Sequence, residues 1–385
     1  MRLADWLGDE RGPGAGALRV ARGALVALAL ALPVSIAVTE AALLTGLAAL
    51  GVSRARGRAF TFARSWLEPA SLVLFGAWFV ACCFSPQKAD AFWHLRKLYA
   101  LGLVWLAAET LREPRLRARL VPLLLAGALL TSLVGFLTYA VRVQVQPDYR
   151  LQGLFSNQMT SGGVLAAASL WGLGGLTGGA WRRRLAHAAA LAPLLAALAL
   201  TQTRSHWLGF AAGALVLLVA RAPRLWWTVP AGAVVFKLAA PARLAARVAS
   251  MLNLHDRTNQ GRLSMWRSGL DIFREHPLTG AGIQDLLSLY RAHEYPDATF
   301  ESGHFHNNLV QFAVSSGVLG LAAFLYWTVA GFRQLGRAVR AARGGDGPLA
   351  ASALAVAVAM QVGGMFDFTF GDAEVIYHTY LALGV

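Results

Sequence analysis

Two arginines and a histidine stand where an apolar chain has little ordinary use for them. Arg204 lies in Thr201-Gln202-Thr203-Arg204-Ser205-His206, a short polar break between two apolar runs. An ionisable residue placed there is a functional candidate by default, and snorkelling to lipid headgroups is the alternative. Arg262 falls in 259–275, a stretch whose apolar spacing predicts a helix. At about 100° per residue, Leu263, Trp266, Leu270 and Phe273 share one arc, with Arg262 at its edge. Arg267 and Arg274 point away. Asn259 is the expected cap, and Pro277 lies just beyond the end. Amide N–H groups at a helix start favour an anion. A buried arginine needs a partner, so a structural ion pair with a carboxylate carries equal weight. His306 belongs to His304-Phe305-His306-Asn307-Asn308, just before a long apolar run. The helix dipole there keeps its ring neutral, and a neutral histidine can take a proton from a hydroxyl. His304 and His306 also allow half of a metal site, with His276, His293 or a carboxylate as third ligand, or a plain polar cap. Spacing alone favours the cap.

Arginine holds phosphate in bidentate fashion and cannot lose its charge. Fixed arginines can stabilise a departing diphosphate where other enzymes use magnesium. With a histidine base, the set suits group transfer from a lipid-linked diphosphate at a membrane surface. No nucleotide motif is present. Pro277-Leu278-Thr279-Gly280-Ala281-Gly282 lacks the phosphate-loop pattern and reads as a tight turn. Arg150 precedes another apolar run, in Arg150-Leu151-Gln152-Gly153. Asp367, Asp372 and Glu374 lie between the last two runs. No D-x-D occurs, and Asp372-x-Glu374 is a weak metal signal.

These residues need a scaffold, and composition says which kind. The chain has 385 residues, 56% apolar and 14% charged, with formal net charge +15 and mean hydropathy +0.50. Soluble domains carry about 25% charged residues. Disorder is excluded by the apolar content, and a nucleic-acid reading needs a soluble basic patch. The adjacent Cys82 and Cys83 make neither a disulfide framework nor a zinc site. A membrane span takes about 20 apolar residues. Runs near 23–38, 40–52, 68–84, 95–111, 120–141, 159–177, 185–200, 206–220, 225–240, 306–332, 348–366 and 373–385 predict an all-α, polytopic integral membrane protein of about 12 transmembrane helices. The second, seventh and twelfth runs are short. Residues 1–240 would hold spans one to nine and 306–385 spans ten to twelve. Between them, 241–305 would form a long loop on the outer side with short helices at 259–275 and about 283–293. Loops of that length are usually functional. Most of the 35 Lys and Arg residues cluster near the amino terminus and in 54–64, 112–119, 182–184, 221–224 and 333–343. These all fall on one side of that topology. Basic loops stay cytoplasmic, so both termini are expected there and the site on the opposite face.

An ordered set of motifs carries a resemblance. Gly261-Arg262-x-x-x-Trp266, Pro277-Leu278-x-Gly280-x-Gly282, His306-Asn307-x-Leu309 and Gly317-x-x-Gly320 together resemble the core of the O-antigen ligase/polymerase family. Thr203-Arg204-Ser205 and Arg150…Gly153-x-Phe155-x-Asn157 resemble earlier elements of it, so the likeness covers about 150–320. The resemblance implies an inner-membrane glycosyltransferase with a large periplasmic loop. It implies a glycan donor on undecaprenyl pyrophosphate, a lipid A–core sugar hydroxyl as acceptor, and metal-independent, inverting transfer without a cofactor. On this chain His306 would be the base, with Arg204 and Arg262 on the pyrophosphate. Arg150, His304 and Asn307 would support them. Partners would be these two substrates and membrane lipids, with no nucleic acid. The rivals are an O-antigen polymerase and a protein O-oligosaccharyltransferase. The latter usually carries a further carboxy-terminal region, whereas this sequence stops at Val385. Ligase is the favoured expectation. Outside the family stands a transporter, but the hydropathy shows no paired halves.

Overall fold

The computed structural model describes residues 7–8, 12–58, 65–251, 253–283, 286–295, 298, 303–342 and 344–385. Arg2, Arg11, Arg64 and Arg343 of the charge pattern lie outside the described residues. Among the described residues the chain is all helical. The α-helices are α1 Ala15–Ala31, α2 Ile36–Ala55, α3 Leu67–Phe84, α4 Lys88–Leu95, α5 Gly102–Thr110, α6 Pro114–Val145, α7 Gln158–Gly175 and α8 Trp181–Thr201. They continue with α9 Arg204–Arg221, α10 Thr228–Ala239, α11 Ala242–Ala249, α12 Arg257–Glu275, α13 Leu287–Ala292, α14 Asn308–Ala341, α15 Gly347–Gly363 and α16 Ala373–Leu383.

Each predicted apolar run falls mostly in helix, but the first, 23–38, crosses the α1–α2 connection at 32–35 and enters α2. The fourth is broken into α4, a 3-10 segment Arg96–Leu101 and α5, where Arg96 and Lys97 interrupt it. Among the described residues, five helices are long and apolar enough to cross a membrane: α2, α3, α6, α8 and α14. The expected count of twelve therefore rests on the apolar runs and not on helix length. The main core joins the α1–α2 hairpin, α5, α6, α7, α14, α15 and α16 through buried residues such as Leu25, Leu43, Leu106, Trp171, Phe324 and Tyr380. Glycine lets helices approach closely: a Cβ at Gly213 would meet the Ala355 carbonyl of α15 at 2.6 Å. Small residues at crossings are the usual means of tight packing where lipid removes the hydrophobic drive.

The bundle has two chemically distinct ends. At one, Arg22 pairs with Glu113 at 3.6 Å and Arg117 with Asp346 at 3.1 Å. The carboxyl end of α9 and the amino end of α15 meet there, where Arg221 abuts Gly347. The candidate residues sit at the opposite ends of α9, α14 and α15.

The long connection 241–305 contains α11, α12 and α13. Helix α12 begins two residues earlier than expected, and its cap is Asp256, not Asn259. The Asp256 carboxylate accepts from the amides of Thr258 and Asn259. Asn259 falls inside the first turn, which frees its side chain for other partners. The buried face is also rotated from the apolar arc. Met265 and Ile272 are buried with Ser264, Ser268 and Gly269, whereas Leu270 is 46% exposed. A Cβ at Gly269 would meet Val310 at 2.6 Å, so small residues set the packed face by letting α14 come close. Helix α13 covers 287–292 of the expected 283–293, of which residues 284 and 285 lie outside the described residues.

Helix α14 is two helical stretches joined across Gly317, with φ 64° and ψ −163°. The break orphans backbone groups, and the 277–282 turn satisfies them. Val318 N–H donates to Pro277 O at 2.8 Å, and Ala281 N–H donates to Val314 O at 2.7 Å. Two separate motifs thus form one joint. Gly280 and Gly317 both have positive φ, and a Cβ at Gly280 would strike the Ser316 backbone.

Candidate active site

The start of α14 positions His306. Asn307 caps the helix, accepting from Leu309 N–H at 2.8 Å and Val310 N–H at 3.2 Å. The cap reading thus fits Asn307, and His306 is the residue before it. The Asn307 amide donates to Met365 O at 2.9 Å, and Asn308 N–H donates to Gly364 O at 2.7 Å. These bonds tie the helix start to the connection between α15 and α16, which carries Asp367. His306 has φ 46°. A non-glycine residue in that region costs of order 1–3 kcal/mol and persists only where its surroundings fix it.

Asp367 is one of three carboxylates, with Asp372 and Glu374, that the sequence left without a role. Its Oδ1 lies 3.2 Å from His306 Nδ1 and accepts from its neighbour's amide, Phe368 N–H, at 2.9 Å. Its Oδ2 lies 3.3 Å from His206 Nε2. Burial pushes the Asp367 carboxyl up, but the adjacent imidazoles of His206 and His306 outweigh burial and hold it well below the usual carboxylate range. An ionised carboxylate only accepts, so His306 Nδ1 carries the hydrogen and Nε2 is the basic nitrogen. This is the orientation that a carboxylate gives a histidine base. His304 Nδ1 accepts the His306 backbone N–H at 3.3 Å, and its ring meets the His306 ring edge-on at 4.2 Å. Burial, then the His306 charge, lowers His304 to about 4 against the opposing pull of Asp367. Of the proposed third ligands, His293 is instead paired with Glu275 at 3.1 Å. No group of three or more His, Cys, Asp or Glu able to hold a metal ion occurs among the described residues.

The arginines gather next to this pair. Gln202 ends α8 in the left-handed region, φ 53°, and its carbonyl accepts from Arg150 at 2.8 Å and Arg247 at 3.3 Å. Arg150 also donates to Thr201 O at 2.9 Å. Arg204 opens α9 and is almost fully engaged. It donates to Asp256 and Asn259, each at 3.0 Å, and to the Ser250 hydroxyl at 2.8 Å and carbonyl at 3.0 Å. The ion pair offered as an alternative for Arg262 is thus found at Arg204. Arg262 is 9% exposed, and among the described residues it makes no hydrogen bond; its Nε is fully buried without a partner. Burial lowers Arg262 to about 10, with Asp367 opposing and Arg204 and Arg247 adding to the fall. Arg150 falls to about 10 through burial and its arginine neighbours. Four guanidiniums in mutual range, one of them unpartnered, make a fixed positive field.

A cavity of about 1000 Å³ adjoins the histidines, and His304, His306 and Asp367 form part of its wall. None of the four arginines lines it. Sequence reasoning singled out Arg204, Arg262, Arg150, His304, His306 and Asn307, and the fold brings all six to one end of the bundle. It missed Asp367, His206 and Arg247. Asp367 stands 61 residues from His306, and no spacing rule links them. His206 was visible only as part of a polar break.

Residues 189–325 match the family model described as O-antigen ligase. The match supports assigning the chain to the O-antigen ligase family, whose members are glycosyltransferase-like enzymes. It spans Arg204, Arg262, the 277–282 turn, His306 and Gly317. It begins after Arg150 and ends before Asp367. No curated protein matches the sequence.

Proposed function

From the O-antigen ligase family assignment that residues 189–325 support, we propose that the protein transfers a glycan from undecaprenyl pyrophosphate to a sugar hydroxyl of lipid A–core. The observation that carries this reading is the pairing of a carboxylate-oriented histidine with an adjacent, only partly satisfied arginine cluster. His306 Nε2 takes the proton of the acceptor hydroxyl as its oxygen bonds to the anomeric carbon. The bond from that carbon to the diphosphate oxygen breaks, and the electron pair leaves with the diphosphate. Attack from the face opposite the leaving group inverts the anomeric centre. Arg262 has open donors for the departing oxygens, and Arg150 and Arg247 strengthen the field. Arg204 contributes charge while knitting α9 to the start of α12. No divalent ion is needed in this scheme. In this reading the basic loops stay in the cytoplasm, and the site lies on the periplasmic face of the inner membrane.

The test is reconstitution with lipid-linked glycan, with and without lipid A–core, with and without EDTA. Product that requires the core and survives EDTA is expected. Longer lipid-linked chains made without the core would replace ligase by polymerase. His306→Ala is expected to abolish transfer in inserted, folded protein, and near-normal transfer would remove the base.

A further inference from the structure

The cavity beside His306 differs chemically from the arginine cluster. Asp372 and Glu374, at the start of α16, stand together in its wall. Asp372 also accepts the Thr160 hydroxyl. Burial and Glu374 raise the Asp372 carboxyl above its ordinary range. Two carboxyl groups side by side thus face the cavity. Rings of Trp78, Tyr99 and Phe368 face the same space, and Trp78 Nε1 is buried without a hydrogen-bond partner among the described residues. The cations Arg96 and Lys97 stand only at the exposed rim, where solvent screens them.

Such a wall disfavours a diphosphate and suits a polyol. Carboxyl oxygens accept from sugar hydroxyls, and aromatic rings offer apolar faces to sugar C–H groups. The volume is that of a ligand site for several rings. We propose that this cavity is the acceptor subsite. A hydroxyl-bearing saccharide would enter it, hydrogen-bond to Asp372 and Glu374, and present its attacking hydroxyl to His306. The diphosphate end of the donor stays outside it, with the arginines. This assignment rests on His306 acting as the base.

The experiment measures donor and acceptor saturation separately in reconstituted protein, using lipid-linked glycan and purified lipid A–core. Glu374→Gln is expected to raise the acceptor KM about tenfold and leave donor KM unchanged, the loss of a hydrogen bond to a charged group. Ser156→Trp tests the space without touching the carboxyl pair, because Ser156 is an exposed residue of the cavity wall. It is expected to weaken the acceptor at least as much and leave direct binding of the lipid-linked donor intact. Unchanged acceptor KM in both variants, or a rise in donor KM instead, overturns the subsite. Full transfer by His306→Ala would overturn the base assignment instead, so the two failures are distinguishable.

Discussion

His206 Nε2 lies 3.3 Å from Asp367 Oδ2, on the far side of the carboxylate from His306. Its ring is 1% exposed and is walled by glycines of two other helices. A Cβ at Gly163 would come within 3.1 Å of it, and one at Gly162 or Gly363 within 3.2 Å. A ring held this way fixes Asp367, and Asp367 in turn fixes His306. His206 is thus a positioning residue. Asp367→Asn should cut kcat by about 10²–10⁴ at unchanged KM, because an amide can hold His306 in the wrong tautomer. His206→Gln should cost about tenfold, and adding it to Asp367→Asn should cost little more. Additive losses in that double variant would separate His206 from the relay.

Arg262 is buried without a hydrogen bond among the described residues, so the fold bears a cost that the substrate is expected to offset. Replacing a buried charge by an apolar side chain of similar length is often stabilising. Arg262→Met should abolish transfer and raise stability by about 1 kcal/mol, read as a higher Tm in detergent. A lower Tm would make Arg262 a structural residue.

Arg204 and Asp256 should show the opposite balance. Asp256 both caps α12 and answers Arg204 at 3.0 Å. Asp256→Ala removes a cap, worth about 1 kcal/mol, and unpairs a buried guanidinium. A loss of about 2 kcal/mol in total is expected, and thermal unfolding measures it. A Tm equal to that of the unaltered protein would contradict the ion pair's structural role.

The joint between 277–282 and α14 depends on glycine. Gly317 has φ 64° and ψ −163°, a region other residues almost never occupy. Gly317→Ala should destabilise by several kcal/mol, since its Cβ would also strike Leu278 O. Gly336→Ala, in the regular part of the same helix, should be close to neutral. Equal yields of folded protein from the two variants would argue against the joint.

His304 gives stability a pH dependence of known sign. Its folded value is lowered to about 4 by burial and His306, whereas an unfolded histidine titrates near 6.5. Between those values the unfolded chain binds the extra proton, so stability falls as pH drops through the window. His304→Gln should flatten this part of the Tm–pH curve. An unaltered slope from pH 7 to 4 would show that His304 does not contribute to it.

The sequence by itself determined the helical class, the apolar runs and the residues that look out of place among them. Those are local properties: run length, helical spacing, and a charge where lipid is expected. It placed Arg262 on a packed face because helix periodicity alone sorts Arg262 from Arg267. It missed the turn of that face, since small residues such as Gly269 carry no hydrophobic signal yet allow the closest contact. Tertiary structure alone decided the partners. Asp367 meets His306 and His206 only because the α15–α16 connection folds back onto the cap at Asn307. Arg204 rather than Arg262 takes a carboxylate because Asp256 shifted the start of α12. The cavity exists only between helices distant in the chain. Pairing across such separations depends on shape and burial, which are settled by packing and not by spacing.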